Sequence, residues 1–194
     1  LIYIMKTFNE LDFYNNFEEV RKFYDNEGYI IIDNFLDNET IDDINNSIVF
    51  DKNRFQDIWK ENENVRKVAG NKKMIAILKK LYDDNPLPFQ TLNFKKGTQQ
   101  YEHVDLMHFC PSTDNLNLMC GVWYAFEDIT PEKGPLIFYP KSHKEKFIID
   151  LSNIGSYQDY EKYMRTFSLL NYERTSALLS KGSVIIWASN LIHG

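Results

Sequence analysis

At Pro88 the chain changes character. Before it, apolar residues recur at spacings of three and four. After it, they alternate or cluster in short runs separated by Pro and Gly. Helices followed by closely spaced strands restrict the fold to an α+β, mainly β class, with a sandwich or barrel in the second half.

In the first half, Leu11, Phe13, Phe17, Val20, Phe23 and Tyr24 predict an amphipathic helix over 11–27, stopped by Gly28. Tyr29-Ile30-Ile31-Ile32 is a β-branched run and predicts a strand. Asp37 to Thr40 supply caps for a helix carrying Ile41, Ile44 and Ile48. Residues 51–70 are polar and poorly periodic, with Trp59 the large apolar anchor. Met74, Ile75, Leu78, Leu81 and Tyr82 predict a third helix, ended by Asp84-Asn85-Pro86.

In the second half, strands are expected at Phe89–Lys95, Leu118–Phe126, Leu136–Tyr139 and Ser183–Trp187. Pro and Gly turns lie at 130–135 and 140–143. Tyr157, Tyr160, Tyr163, Met164 and Phe167 suggest a helix inside a lid-like insert at about 145–180. The expectation is one domain over 1–194, with a mostly helical flank containing one strand (5–86) and a β core (87–194).

Several function classes are excluded by composition. Twenty-two basic against 28 acidic residues give a net charge of −6, so no basic surface awaits a phosphate backbone. No apolar run approaches the roughly 20 residues of a membrane span. Two cysteines are too few for a disulfide framework, and free thiols suit a reducing, cytoplasmic compartment. A small-molecule substrate is the partner expected; oligomeric state is not legible. Met5-Lys6-Thr7-Phe8 reads as an ordinary start, so Leu1–Ile4 are expected to be translated from upstream of it.

The chemistry is concentrated in four histidines, His103, His108, His143 and His193. In His103-Val104-Asp105 an extended backbone turns an imidazole and a carboxylate to one face, about 6–7 Å apart along the chain. His193 follows 90 residues later, after the most apolar strand of the sequence. Two imidazoles and a carboxylate cap one face of an octahedral ion and leave three positions open, as non-heme Fe(II) oxygenases require. A structural zinc site would instead be closed by four ligands. His-x-Asp is a short pattern, however, and Asp105 could simply orient a core histidine.

A longer run of residues favours the metal reading. Phe89 to Gln100, His103-Val104-Asp105, Gly121 to Asp128, Glu132 to Leu136, Pro140 to Lys144, Lys181 to Trp187 and Asn190 to Gly194 follow in an order that resembles the phytanoyl-CoA dioxygenase family. Asn26 to Leu36 resembles that family's opening, so the likeness runs over most of 17–194. The resemblance implies a double-stranded β-helix (jelly-roll) core with N-terminal flanking helices. It implies Fe(II), 2-oxoglutarate and O₂, with His103, Asp105 and His193 on the metal. Thr91, Asn93 and Trp123 match positions lining the 2-oxoglutarate pocket. An arginine holding the far carboxylate, and one further strand, are expected beyond Gly194. Because Asp105 is present where halogenating relatives carry a small residue, the resemblance favours hydroxylation. Both imidazoles must be neutral to ligate, so activity is expected to fall as pH drops through the imidazole range.

Other readings stay open. A cupin-like binding protein would keep the jelly roll without turnover. A metal-dependent hydrolase would use His103, Asp105 and His108. If the strand continues past Asp105, His108 points away from His103 and lies nearer the substrate. His143 reads as structural, and Cys110 and Cys120 as small buried hydrophobes.

Overall fold

Tyr29, Ile30, Ile31 and Ile32 are all fully buried, as expected of a strand covered on both faces. In the computed structural model, which describes residues 5–98, 100–109, 118–145 and 155–194, they form β2 (Tyr29–Ile32) of a four-stranded sheet. β1 (Thr7–Phe8) lies parallel to β2 on one side. β8 (Val184–Ala188) lies antiparallel on the other, and β5 (Cys120–Tyr124) pairs with β8. Among the described residues no strand pairs with the outer edge of β5.

Pairing register sorts the side chains. Tyr29 stands opposite Trp187, Ile31 and Trp123 flank Ile185, and Gly121 lies opposite Trp187. Successive residues of a strand point to opposite faces. Ile30, Ile32, Val184, Ile186, Val122 and Tyr124 therefore share the other face.

That outer face packs on the helices. α2 (Phe17–Glu27) contributes Val20 and Tyr24, and α3 (Asn38–Ser47) contributes Ile41 and Ile44. α4 (Glu63–Ala69) contributes Val65 and Val68, and α5 (Lys72–Tyr82) contributes Met74, Ile77, Leu78 and Leu81. The inner face meets a second β layer across Phe138, Ala177, Leu179 and Leu191. That layer holds β6 (Ile137–Phe138) paired with β7 (Thr175–Ser176). It continues through single-residue bridges from Phe138 to His193 and from His193 to His103. Two β layers with helices on one outer face match the jelly-roll core with flanking helices. β3 (Arg54–Gln56) and β4 (Leu92–Phe94) form a separate antiparallel pair.

α7 (Tyr157–Asn171), capped by the Ser156 side chain, buries Tyr160 and Met164 against Val104, Tyr139 and Ile192. It therefore packs behind the second layer rather than standing clear of it. Residues 146–154 of the expected insert lie outside the described residues.

Some elements differ from expectation. The helix over 11–27 is broken at Asn16 into α1 (Asp12–Asn15) and α2. Asn16 leaves helical geometry (φ −132°, ψ 33°), in keeping with the low helix preference of Asn. The flank holds β1 and β3 besides β2, both too short to show a period. α4 arises within the poorly periodic 51–70, where Asn62 caps it by accepting from the Val65 N–H at 3.1 Å.

Candidate metal centre

β8 ends at Ala188, and the chain reverses through Ser189 and Asn190 into the second layer, carrying His193. His103 faces it across the antiparallel bridge. The His103 N–H donates to His193 O at 2.8 Å, and the His193 N–H donates to His103 O at 2.9 Å. Residues that exchange both backbone bonds present their side chains side by side on one face. The two imidazole centroids are accordingly 4.4 Å apart.

Each ring is oriented the same way. Nδ1 of His103 bonds to the Tyr101 carbonyl at 2.8 Å, and Nδ1 of His193 to the Leu191 carbonyl at 2.9 Å. A carbonyl only accepts, so Nδ1 carries a proton in both rings, and Nε2 is the atom each ring can offer to a metal ion when it is neutral.

Both Nε2 atoms face Asp105. Its Oδ1 is 3.9 Å from His103 Nε2 and 3.5 Å from His193 Nε2. Its Oδ2 accepts from Trp187 Nε1 at 3.0 Å. Donor atoms from His103, Asp105 and His193 lie within 4.8 Å of one another. Both histidines are 4% exposed. Val104, between the first two, points the opposite way into the core under α7, and its N–H donates to Tyr160 Oη at 3.2 Å.

The electrostatics are those of one carboxylate shared by two imidazoles. Burial pushes the Asp105 carboxyl up, but His193 and His103 together with the Trp187 bond outweigh it and bring it to about 2. Burial and the neighbouring His193 lower His103 to about 3. Burial also opposes the charged form of His193, yet Asp105 beside it prevails and raises its pKa.

The strand does not continue past Asp105. The His108 N–H bonds back to Asp105 O at 2.9 Å, and α6 (Leu106–Phe109) begins there. The parity argument for His108 therefore does not apply. His108 is exposed, its ring 5.4 Å from that of His103 and 6.0 Å from that of Tyr157, and it stands outside the three-residue cluster.

Thr91 and Asn93 lie at and beside β4, and Thr91 Oγ1 and Asn93 Oδ1 are buried with no hydrogen-bond partner among the described residues. Trp123 lies on the inner face of β5, half-buried against the inter-layer core. None of the three has a hydrogen bond or ring contact with the cluster among the described residues.

His143 ties the Gly28 turn to the loop before His193. Its Nε2 bonds to Asp25 O at 3.1 Å, and its carbonyl accepts from Asn190 Nδ2 at 2.6 Å. Burial pushes the Cys120 thiol up to about 11, so it stays protonated. Cys110 lies outside the described residues. Trp187 went unsuspected in the sequence, although Gly121 within a strand is a recognised sign of close approach.

A sequence model of the family described as Phytanoyl-CoA dioxygenase matches residues 49–194. No curated protein sequence matches the chain. The chain is similar in structure to the non-heme alpha ketoglutarate dependent epimerase SnoN from nogalamycin biosynthesis. The TM-score is 0.71 at 16% identity, covering 92% of this chain and 76% of that one. It is also similar to EctD from S. alaskensis with bound Fe, at TM-score 0.69 and 16% identity over 91% of this chain and 69% of that one. A third is AviO1 from Streptomyces viridochromogenes Tue57, at TM-score 0.63 and 13% identity over 91% and 85%.

Proposed function

The chain belongs to the phytanoyl-CoA dioxygenase family, and on that premise we propose that it is an Fe(II)- and 2-oxoglutarate-dependent oxygenase hydroxylating a small organic molecule. One observation carries the reading: two imidazoles and one carboxylate, the imidazoles held by a backbone bridge, converge within 4.8 Å.

The residues fit the ion. Both rings direct Nε2 toward Asp105 because both Nδ1 atoms are bound to carbonyls, and a metal ion would displace the proton shared by His193 and Asp105. Asp105 supplies negative charge in a buried setting that tolerates little unpaired charge. Three protein donors leave open positions for a cosubstrate. When bound, iron and 2-oxoglutarate would supply the oxidising chemistry, with O₂ giving one oxygen to CO₂-releasing succinate formation and one to the substrate. His103, Asp105 and His193 hold the ion, and the layers around them exclude water.

Thr91 and Asn93 are proposed for the cosubstrate, supported by their orphaned oxygens. Trp123 joins them on the family resemblance. SnoN was solved with Fe3+, alpha ketoglutarate and nogalamycin RO, and EctD with 2-oxoglutarate and 5-hydroxyectoine. Hydroxylation is the finer step of this reading, since the similar structures include an epimerase and a carbocyclase.

The test is anaerobic addition of Fe(II) and 2-oxoglutarate, followed by air. A visible charge-transfer band, then succinate on aeration, is expected. Metal binding with no response to 2-oxoglutarate would replace this reading with the cupin-like or hydrolase one.

A further inference from the structure

Asp105 accepts a side-chain hydrogen bond from the indole of Trp187. We infer that Trp187 is a positioning residue that holds Asp105 to a single oxygen on the metal, an inference resting on the metal centre proposed above. Oδ1 faces both Nε2 atoms, while Oδ2 receives the indole N–H at 3.0 Å. Rotating the carboxylate to bring Oδ2 onto the ion would break that bond. The bond therefore keeps a fourth protein oxygen off the ion and leaves that position to the cosubstrate. An indole N–H only donates and does not titrate in the working range, so the restraint survives changes of pH.

The indole is itself braced. Its ring lies 5.0 Å from that of His193. On the neighbouring strand, a Cβ at Gly121 would lie 2.1 Å from Trp187 Cε2 and Cζ2. Any side chain at 121 would displace the ring. Gly121 thus seats Trp187, and Trp187 orients Asp105. Partners of this kind, one step removed from the ion, typically change metal affinity by about 10–100-fold.

The test titrates metal-free protein with Co(II). Trp187→Phe should raise the dissociation constant about tenfold or more and alter the Co(II) ligand-field spectrum as the freed carboxylate turns. Gly121→Ala should act in the same direction, but add little in the Trp187→Phe background, because it works through the indole. A purely structural role would leave the spectrum unchanged and make the two effects additive. Wild-type affinity and spectrum in Trp187→Phe would overturn this inference alone. Failure of the unaltered protein to bind Co(II) would overturn the metal centre and this inference with it.

If Trp187→Phe does not fold, the indole N–H resonances of the three tryptophans in the unaltered protein decide. A signal broadened by Co(II), and protected from solvent exchange with Zn(II) bound, supports the bond. Absence of such a protected signal overturns it.

Discussion

Acidification should weaken metal binding about tenfold per pH unit, not a hundredfold. A metal ion and a proton compete for the same lone pair, so affinity falls as pH falls. The slope counts the protons displaced. Two ordinary imidazoles, each near 6.5, would both be protonated below that value and release two protons. Here His103 is lowered to about 3 and Asp105 to about 2, so both are already deprotonated across the mildly acid range. His193 is raised above its ordinary 6.5 by Asp105. In metal-free protein one proton is therefore held between His193 and Asp105, from roughly pH 4 up to the raised His193 value. Over two pH units the loss is about a hundredfold, or about 2.7 kcal/mol, against about ten-thousandfold for independent imidazoles. Co(II) or Zn(II) titrations in weakly coordinating buffers across roughly pH 4.5–6.5 measure the slope. Calorimetry in buffers of different ionisation enthalpy counts the proton independently. A slope of two would refute the depressed His103, and a slope of zero would refute protonation of His193.

Three further outcomes are expected. His108→Ala should bind Co(II) within about twofold of the parent, because its exposed ring lies outside the cluster; loss of binding would restore the hydrolase ligand set. Tyr160→Phe strips the buried Val104 N–H of its acceptor and should cost about 1–3 kcal/mol. An unshifted urea midpoint would show that the bond is not needed. Gly28→Ala places a Cβ 2.4 Å from His143 Nδ1 at φ +82°, adding a clash to the left-handed penalty of about 1–2 kcal/mol. Denaturation should show a loss partly relieved by His143→Ala, and equal losses in both backgrounds would exclude the clash.

Much of the framework was legible because it rests on local properties. Gly28 ends α2 with φ +82°, its N–H bonded to Tyr24 O, as its position after an apolar helical pattern implied. β2, β5 and β8 announced themselves as β-branched or aromatic runs, and α5 by its spacing. Short elements escaped: β1 has two residues and β3 three, below the length at which alternation is visible. α4 hid in a polar stretch because its buried face is only Val65 and Val68. His108 stands outside the ligand cluster as expected, but not for the expected reason. Its orientation depended on whether a strand continued past Asp105, and the chain instead turns into α6.

By itself, the sequence determined which groups were available: His103 and Asp105 two residues apart, His193 on the far side of an apolar strand, and the residues of the β layers. Residue type and spacing are properties of the chain, and they are enough to nominate a set of donors. Only the tertiary structure decided how those donors are aimed. The bridge between His103 and His193 and the Gly121–Trp187–Asp105 stack join residues far apart in the chain. Those contacts follow from strand register, which a one-residue slip would reverse face for face.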